Sequence, residues 1–200
     1  AGITTYEAYI DGEFGSEIYF LAPKLDQADL ALSAFEFNKD KSPELARITR
    51  KRKYDYIIDQ SNSIIKKIAF ADKKSDGYNP MLVICDEMSS WPAERGLKQY
   101  EVMKSGTGAR EQPIILSISS GGYVSDGPYD ELFKRGTRFL MGESGEKRLL
   151  PVFYMIDDVQ KWDDINELRK SLPGLGVSVP YQFILDEIEI ARGSLSKKNE

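Results

Sequence analysis

Short apolar runs alternate along the chain with segments in which apolar residues recur every three or four positions. The runs that predict buried strands lie within residues 17–23, 81–87, 112–122 and 149–156. Apolar strands that alternate with helices are typical of a mainly parallel sheet with helices on both faces. The pattern therefore predicts an α/β fold.

Helices and a hairpin are predicted between and after these strands. Residues 25–38 carry Leu25, Ala28, Leu32 and Phe35 on one helical face. A second helical segment, residues 92–106, begins with Pro92, and further ones are residues 128–140 and 181–193. The strand-like runs 54–60 and 63–70 are separated by two residues, Ser and Asn, and predict a β-hairpin.

The composition of the sequence changes after Ile156. An acidic stretch is followed by a segment rich in turn residues, "LPGLGVSVP", and then by the last amphipathic helix. We therefore predict a core domain over residues 1–156 and a small linker subdomain over residues 157–200, outside the sheet.

Composition excludes several classes of function. The chain has 200 residues, no histidine, one cysteine and a net charge of −5. Without histidine, a Ser-His-Asp triad and a histidine-ligated zinc site are both impossible. No apolar run approaches the ~20 residues that cross a bilayer, so no membrane partner is expected. Cys85 cannot form an intramolecular disulfide, which fits a reducing intracellular setting.

A basic run interrupts this acidic chain. Residues 47–53, "RITRKRK", contain five basic residues. Such a patch can contact a phosphate backbone, although a solvated surface segment is the favoured interpretation of the run taken alone. The candidates for DNA contact are Arg47, Arg50, Lys51, Arg52 and Lys53.

Paired carboxylates follow the second predicted strand directly. Asp86 and Glu87 come after the apolar run "MLVIC", which is the shape of a Walker B motif with an adjacent catalytic glutamate. A buried strand can deliver the aspartate to the oxygen-rich shell of Mg²⁺. The next carboxylate can orient the water that attacks a γ-phosphate. Both can serve one site only if the strand ends at this point.

Two other segments are predicted to meet this site. Ser119, Ser120 and Gly121 follow the next strand, and ligands bind at the carboxyl ends of strands in such sheets. At the start of the chain, Gly2 and Thr4 fit the end of a phosphate-binding loop, with Thr5 in the following helix. Ile3 occupies the position of the usual lysine. Tight turns and a plain helix start are the alternative explanations of these segments.

The order of motifs resembles the large terminase subunit of tailed double-stranded-DNA bacteriophages. The resemblance rests on "EIYFLAPKLDQADLAL", "SDGYNPMLVICDEMSSWP", "MKSGTGAREQPIILSISSGG" and "LPGLGVSVP", and it covers almost the whole chain. The segments "DGYNP" and "GTGAREQP" are its most specific parts. The resemblance implies a RecA-like P-loop ATPase fold, with ATP and Mg²⁺ as cofactors.

The resemblance also implies roles for single residues. Asp86 corresponds to the magnesium-binding aspartate and Glu87 to the catalytic glutamate. The segment from Ser119 through Ser120 to Gly121 corresponds to the coupling motif, and Gly2, Thr4 and Thr5 to the nucleotide-binding loop, with Thr4 also at the metal. Arg110 is a candidate arginine finger or sensor. Gln27 matches a family position whose role is open.

The partners implied are double-stranded DNA, the portal protein, the small terminase subunit and further large-subunit copies in a ring, in the host cell cytoplasm. Two departures stand against full activity: Ile3 replaces the lysine, and the family's nuclease carboxylates have no counterpart. We therefore expect an ATPase domain with a truncated phosphate loop and weak or absent hydrolysis. The alternatives are a non-catalytic docking domain and another RecA-like DNA motor.

Overall fold

The computed structural model describes residues 1–11, 13–69, 77–121 and 126–193. Within them, the strands are β1 (Glu17–Ala22), β2 (Thr49–Lys51), β3 (Asp55–Ile58), β4 (Ser63–Ala69), β5 (Pro80–Cys85) and β6 (Ile114–Ser117). The α-helices are α1 (Gly2–Tyr9), α2 (Leu25–Lys41), α3 (Pro43–Ile48), α4 (Ala93–Gly106), α5 (Pro128–Leu140), α6 (Ile165–Ser171) and α7 (Tyr181–Arg192). Short 3₁₀ turns lie at Met88–Ser90, Thr107–Ala109 and Val159–Lys161.

The strands form one mixed sheet in the order β2-β3-β4-β1-β5-β6. Strands β4, β1, β5 and β6 run parallel, while β2, β3 and β4 pair antiparallel. The predicted mainly parallel sheet and the predicted hairpin, which is β3–β4, are both confirmed. Because β1, β5 and β6 are parallel, their carboxyl ends meet at one edge of the sheet.

Alternation along β1 explains why helices cover both faces of the sheet. Ile18 and Phe20 belong to a buried cluster with Phe35 of α2, on one face. Tyr19 belongs to a second buried cluster with Met103 of α4, on the other face. Strand β5 is buried along its whole length, as its unbroken apolar sequence predicted.

The last predicted strand is wrong. Residues 149–156 contain no strand, and Leu150 is 87% exposed. Pro151 has no N–H to give to a ladder, which weakens any strand at this point. Its ring and Phe153 instead lie over Gly136, where an added Cβ would come within 2.7 Å of Phe153. An apolar run alone does not distinguish a strand from a segment that packs locally.

Strand β6 is also less buried than predicted. It lies at the edge of the sheet, and Ile114 is 38% exposed. Ile114 and Ser117 are exposed and the two residues between them are half-buried, whereas the residues of β5 are all buried. The apolar sequence of β6 therefore places it in the sheet but does not reveal that one side of it is open.

The chain divides into two compact units, Ala1–Arg135 and Gly136–Glu200. The sequence placed the boundary later, after Ile156. The second unit contains α6 and α7, and its buried Glu167 accepts hydrogen bonds from two backbone amides and from Lys170. Among the described residues, no helix is long and apolar enough to cross a membrane.

Glu7 is a buried carboxyl on α1. One of its oxygens, Oε2, has no hydrogen-bond partner among the described residues. Burial raises the pKa of Glu7 above its ordinary value, and the neighbouring carboxylates of Asp11 and Glu13 raise it further. The folded state therefore binds this proton more tightly than the unfolded state. Stability is consequently lost as pH rises through the interval above the unfolded value of 4.5.

We predict that Glu7→Gln stabilises the protein at neutral pH by on the order of 1 kcal/mol, because the buried charge is removed. The gain should vanish below the ordinary carboxyl pKa, where Glu7 is protonated in both states. Urea denaturation at several pH values measures this, with the exposed Glu94→Gln as control. If the stability difference between Glu7→Gln and the unaltered protein does not change with pH, the buried charge is not its cause.

Candidate functional site

The acidic pair stands where β5 ends, between its two neighbouring strands. The strand ends at Cys85, and Asp86 donates its backbone N–H to Leu21 of β1 at 3.2 Å. On the other side, Ile118 donates to the carbonyl of Cys85 at 2.9 Å. These bonds hold the segment that carries Asp86 and Glu87 at the common carboxyl edge of β1, β5 and β6.

Glu87 has an unusual backbone conformation. Its φ is 51° and its ψ is 46°, in the left-handed region that non-glycine residues rarely adopt. A 3₁₀ turn follows at once, and Ser90 donates both its N–H and its hydroxyl to the carbonyl of Glu87. The Glu87 side chain is exposed, as a carboxylate that meets a substrate must be. The strand does end at the pair, so both carboxylates can face the same edge.

The serines after β6 contact the turn after β5. Ser119 accepts a hydrogen bond from the backbone N–H of Ser89 at 2.8 Å. The hydroxyl of Ser120 lies 3.4 Å from Oε2 of Glu87, within donating distance. Gly121 is exposed, and a Cβ added there would meet open space. The structure therefore joins Ser119 and Ser120, but not Gly121, to the acidic pair.

Helix α1 packs beside β4 and β5 and carries the predicted phosphate-loop residues. Thr4 is fully buried, and its Oγ1 has no hydrogen-bond partner among the described residues. The hydroxyl of Thr5 is occupied by the carbonyl of Ala1 at 3.1 Å. Gly2 is exposed with open space around it, and Ile3 is 46% exposed. Of this group, Thr4 alone offers a buried oxygen that lacks a partner.

The oxygens of the predicted metal ligands fit Mg²⁺ better than a transition metal. Asp86 at the end of β5 offers a carboxylate and Thr4 of α1 offers a hydroxyl, the hard oxygen ligands that Mg²⁺ prefers. The described residues hold no group of three or more acidic, Cys or His side chains that could form a cage for a metal ion. Mg²⁺ typically binds through one or two protein ligands, with waters and phosphates supplying the rest.

Cys85 does not provide a nucleophile at this edge. Burial raises the pKa of its thiol to about 12, and a hydrogen bond with Ser117 opposes this shift only partly. A neutral, fully buried thiol is unreactive. The chemistry of the edge therefore rests on oxygen atoms.

Arg110 lies at the opposite edge of the sheet, where its guanidinium is paired. Its guanidinium pairs with Glu13 at 2.6 Å and donates to the carbonyls of Gly15 and Asn79. Its side chain is 6% exposed. These partners precede β1 and β5, so Arg110 ties the amino ends of the strands together. A finger or sensor role would require these bonds to open, and it stays a prediction.

The two most specific sequence segments meet at this clasp, which we define as Arg110 with Glu13, Gly15 and Asn79. Asn79 belongs to "DGYNP", whose Asp76 lies outside the described residues, and Arg110 belongs to "GTGAREQP". Gly106 allows the approach, because a Cβ there would lie 2.7 Å from the carbonyl oxygen of Tyr78.

The basic run is mostly neutralised within the chain. Arg50 pairs with Asp59, Lys51 with Glu36, and Arg52 with Asp55. Lys53 has no acidic partner among the described residues; its ammonium lies 4.9 Å from the centre of the Tyr54 ring. Strand β2 carries this run at the edge of the sheet far from β6, so it is remote from the acidic pair.

Sequence reasoning missed Trp91. It is fully buried, and its indole N–H donates to the carbonyl of Asp86 at 2.8 Å. The signal was a large aromatic residue in an otherwise polar turn, five positions after the aspartate. Gln27, at the start of α2, has a buried Oε1 without a hydrogen-bond partner among the described residues, and its role stays open.

The fold belongs to the class of α/β proteins with a mainly parallel sheet, and its acidic pair lies at the carboxyl edge, where such sheets bind ligands. Comparison with known proteins is more specific: residues 1–138 match the family model "Terminase large subunit, ATPase domain". The chain therefore belongs to the terminase large subunit ATPase domain family. The match ends close to the end of the first unit at Arg135.

Two known proteins are similar to this chain. Protein YmfN of Escherichia coli (strain K12) is 29% identical over 129 residues, covering 64% of this chain and 28% of that protein. The crystal structure of the HK97 bacteriophage large terminase matches with a TM-score of 0.73 and 16% identity. That match covers 98% of this chain and 40% of the other. It supports the predicted RecA-like fold, and the chain spans less than half the length of either protein.

We predict that Arg110→Ala destabilises the protein by about 3 kcal/mol, because it leaves Glu13 and two carbonyls without their buried partner. Arg110→Lys should recover only part of the loss, since one ammonium cannot reproduce the planar fork. Urea denaturation measures both. Arg52→Ala, which breaks an exposed pair, is the control and should cost less than ~1 kcal/mol. If Arg110→Ala and Arg52→Ala lower the free energy of unfolding equally, the clasp does not stabilise the protein as predicted.

Proposed function

We propose that this chain is the ATP-hydrolysing part of a motor that moves double-stranded DNA into a viral procapsid. The observation that carries the proposal is the arrangement at the carboxyl edge. Asp86 and Glu87 leave β5 together, and Ser119 and Ser120 after β6 contact the same turn. Membership in the terminase ATPase family supports ATP as the substrate.

The proposed reaction uses oxygen ligands and one carboxylate as base. Mg²⁺, when bound, would neutralise charge on the β- and γ-phosphates. Asp86 would hold it, with the Thr4 hydroxyl as a second ligand. Glu87 would accept a hydrogen bond from a water, orient it in line with the γ-phosphorus and take its proton. A water–phosphorus bond would form as the bond to the β-phosphate oxygen breaks, leaving ADP and phosphate.

The coupling proposal follows from the contacts between the two strand ends. Ser119 bonds the turn after Glu87 through Ser89, and Ser120 contacts Glu87 itself. A change at the γ-phosphate would therefore reach β6 directly. We propose that it passes on to DNA in a ring of large-subunit copies, with the portal protein and the small terminase subunit as further partners, in the host cell cytoplasm.

A non-catalytic docking domain is the second candidate function. Its support is Ile3 at the lysine position, because a lysine at that position contacts the β- and γ-phosphates. Calorimetry with ATP and Mg²⁺ on the protein in its full natural length separates the two functions. Binding favours the motor, and absence of any binding favours the docking domain.

DNA contact by the basic run would have to compete with its internal ion pairs. Arg50, Lys51 and Arg52 each have an acidic partner, and Lys53 has none among the described residues. We therefore propose Lys53 as the first contact within this run, with the other three available only if their exposed pairs open.

We predict that Glu87→Gln lowers Mg²⁺-dependent ATP hydrolysis by at least about 100-fold while nucleotide affinity stays within about twofold. The amide keeps the volume but cannot take the proton. Phosphate release and calorimetry on the full natural length measure the two quantities. Glu94→Gln, an exposed carboxyl on α4, is the matched control. Hydrolysis that persists at the unaltered rate in Glu87→Gln would refute the catalytic assignment.

We predict that Lys53→Glu weakens DNA-stimulated hydrolysis and lowers its salt dependence, because one phosphate contact is lost and a repulsion is added. Basal hydrolysis without DNA should not change. Lys104→Glu, which reverses a charge on α4, is the control. If both variants respond to DNA like the unaltered protein, the run does not contact DNA through Lys53.

A further inference from the structure

The indole of Trp91 lies beneath the turn that carries the acidic pair. It is fully buried, and its N–H donates to the backbone carbonyl of Asp86 at 2.8 Å. Helix α4 packs closely against it, since a Cβ added at Gly96 would come within 2.9 Å of the Trp91 Cβ. The backbone N–H of Trp91 also bonds Met88 at 3.1 Å, which closes the 3₁₀ turn. The donor is therefore held rigidly.

The carbonyl of Asp86 and the N–H of Glu87 belong to the same planar peptide. Rotating that plane turns the carbonyl and changes φ of Glu87 at the same time. The observed orientation gives Glu87 a φ of 51°. The plane is held at both ends: Trp91 binds its carbonyl, and Oδ1 of Asp86 accepts its N–H at 3.1 Å.

These two restraints are not equivalent. In the proposed function, the Asp86 carboxylate turns towards a metal ion, and its bond to the Glu87 N–H then competes with that role. The bond from Trp91 involves only the backbone carbonyl and is unaffected. A left-handed residue with a side chain relaxes unless its surroundings hold it. The indole is thus the restraint on this peptide plane that does not involve the proposed metal ligand, whereas the two bonds from Ser90 hold the carbonyl of Glu87 on the next peptide.

We propose that Trp91 is a positioning residue for Glu87. Its indole N–H holds the Asp86–Glu87 peptide so that Glu87 stays left-handed and its carboxylate lies beside Ser120 at the site. The proposal rests on the proposed function for its catalytic consequence. Its geometric content, the link between the indole and the backbone of Glu87, stands on the contacts alone.

The sharpest test removes the indole N–H without changing the shape of the side chain. In a Trp162→Phe background of this 200-residue chain, Trp91 is the one tryptophan, and biosynthetic replacement by 3-benzothienylalanine exchanges its N–H for sulfur. Trp162→Phe alone is the matched control, and Trp91→Phe is a second variant that is simpler to make. Thermal melting shows that each protein is folded.

The expected result is a fall in kcat of about tenfold or more with KM nearly unchanged, because a small displacement of a catalytic group is costly while binding is not affected. A crystal structure of the benzothienyl protein should show the Asp86 carbonyl rotated and a negative φ at Glu87. Unchanged kcat in a folded, hydrolysing protein would overturn the proposal, and so would a φ that stays near 51°.

Failure of the proposed function gives a different pattern. If the unaltered protein hydrolyses no ATP, the catalytic assignment fails, and the crystal structure alone decides the inference. A rotated peptide then supports the link between Trp91 and Glu87, and an unrotated one refutes it.

Discussion

The site depends on the parallel pairing of β5 between β1 and β6. Asp86 bonds the end of β1 through Leu21, and Ile118 bonds the end of β5 through Cys85, so the backbones of three strands finish together. Parallel strands gather their carboxyl ends at one edge, where side chains distant in sequence can act on one ligand. Everything at the site, including the strained turn at Glu87, is built on that alignment.

The two edges of the sheet have different roles. At the carboxyl edge, oxygens of Asp86, Glu87 and Ser120 are available for chemistry. At the amino edge, Arg110 joins Glu13 and two carbonyls in a nearly buried clasp that sets the strands against one another. The segments that identify the family most specifically meet at this clasp. The most specific sequence segments therefore belong to the clasp that holds the strands together. The acidic pair, which is less specific as a motif, is the group that would carry out the proposed reaction.

The sequence predicted the parts whose cause is local. The unbroken apolar run of β5 predicted a buried strand, and the helical spacing around Phe35 predicted α2. Other features depend on contacts between distant residues. Residues 149–156 are as apolar as a strand, but Pro151 and Phe153 lie over Gly136 while Leu150 is exposed. The partners of Arg110 are distant in sequence, so its own segment does not indicate them. Trp91 was missed because it bonds a backbone carbonyl, and every residue has one, so the bond does not depend on a recognisable pair of residue types.

The central claim is that the carboxyl edge binds a metal–nucleotide complex through Asp86. Electron paramagnetic resonance of Mn²⁺, a stand-in for Mg²⁺, tests it on the full natural length with a non-hydrolysable ATP analogue. The account predicts a bound Mn²⁺ signal that needs the nucleotide and is lost or strongly weakened in Asp86→Asn. Equal Mn²⁺–nucleotide affinity in the unaltered protein and in Asp86→Asn would contradict it.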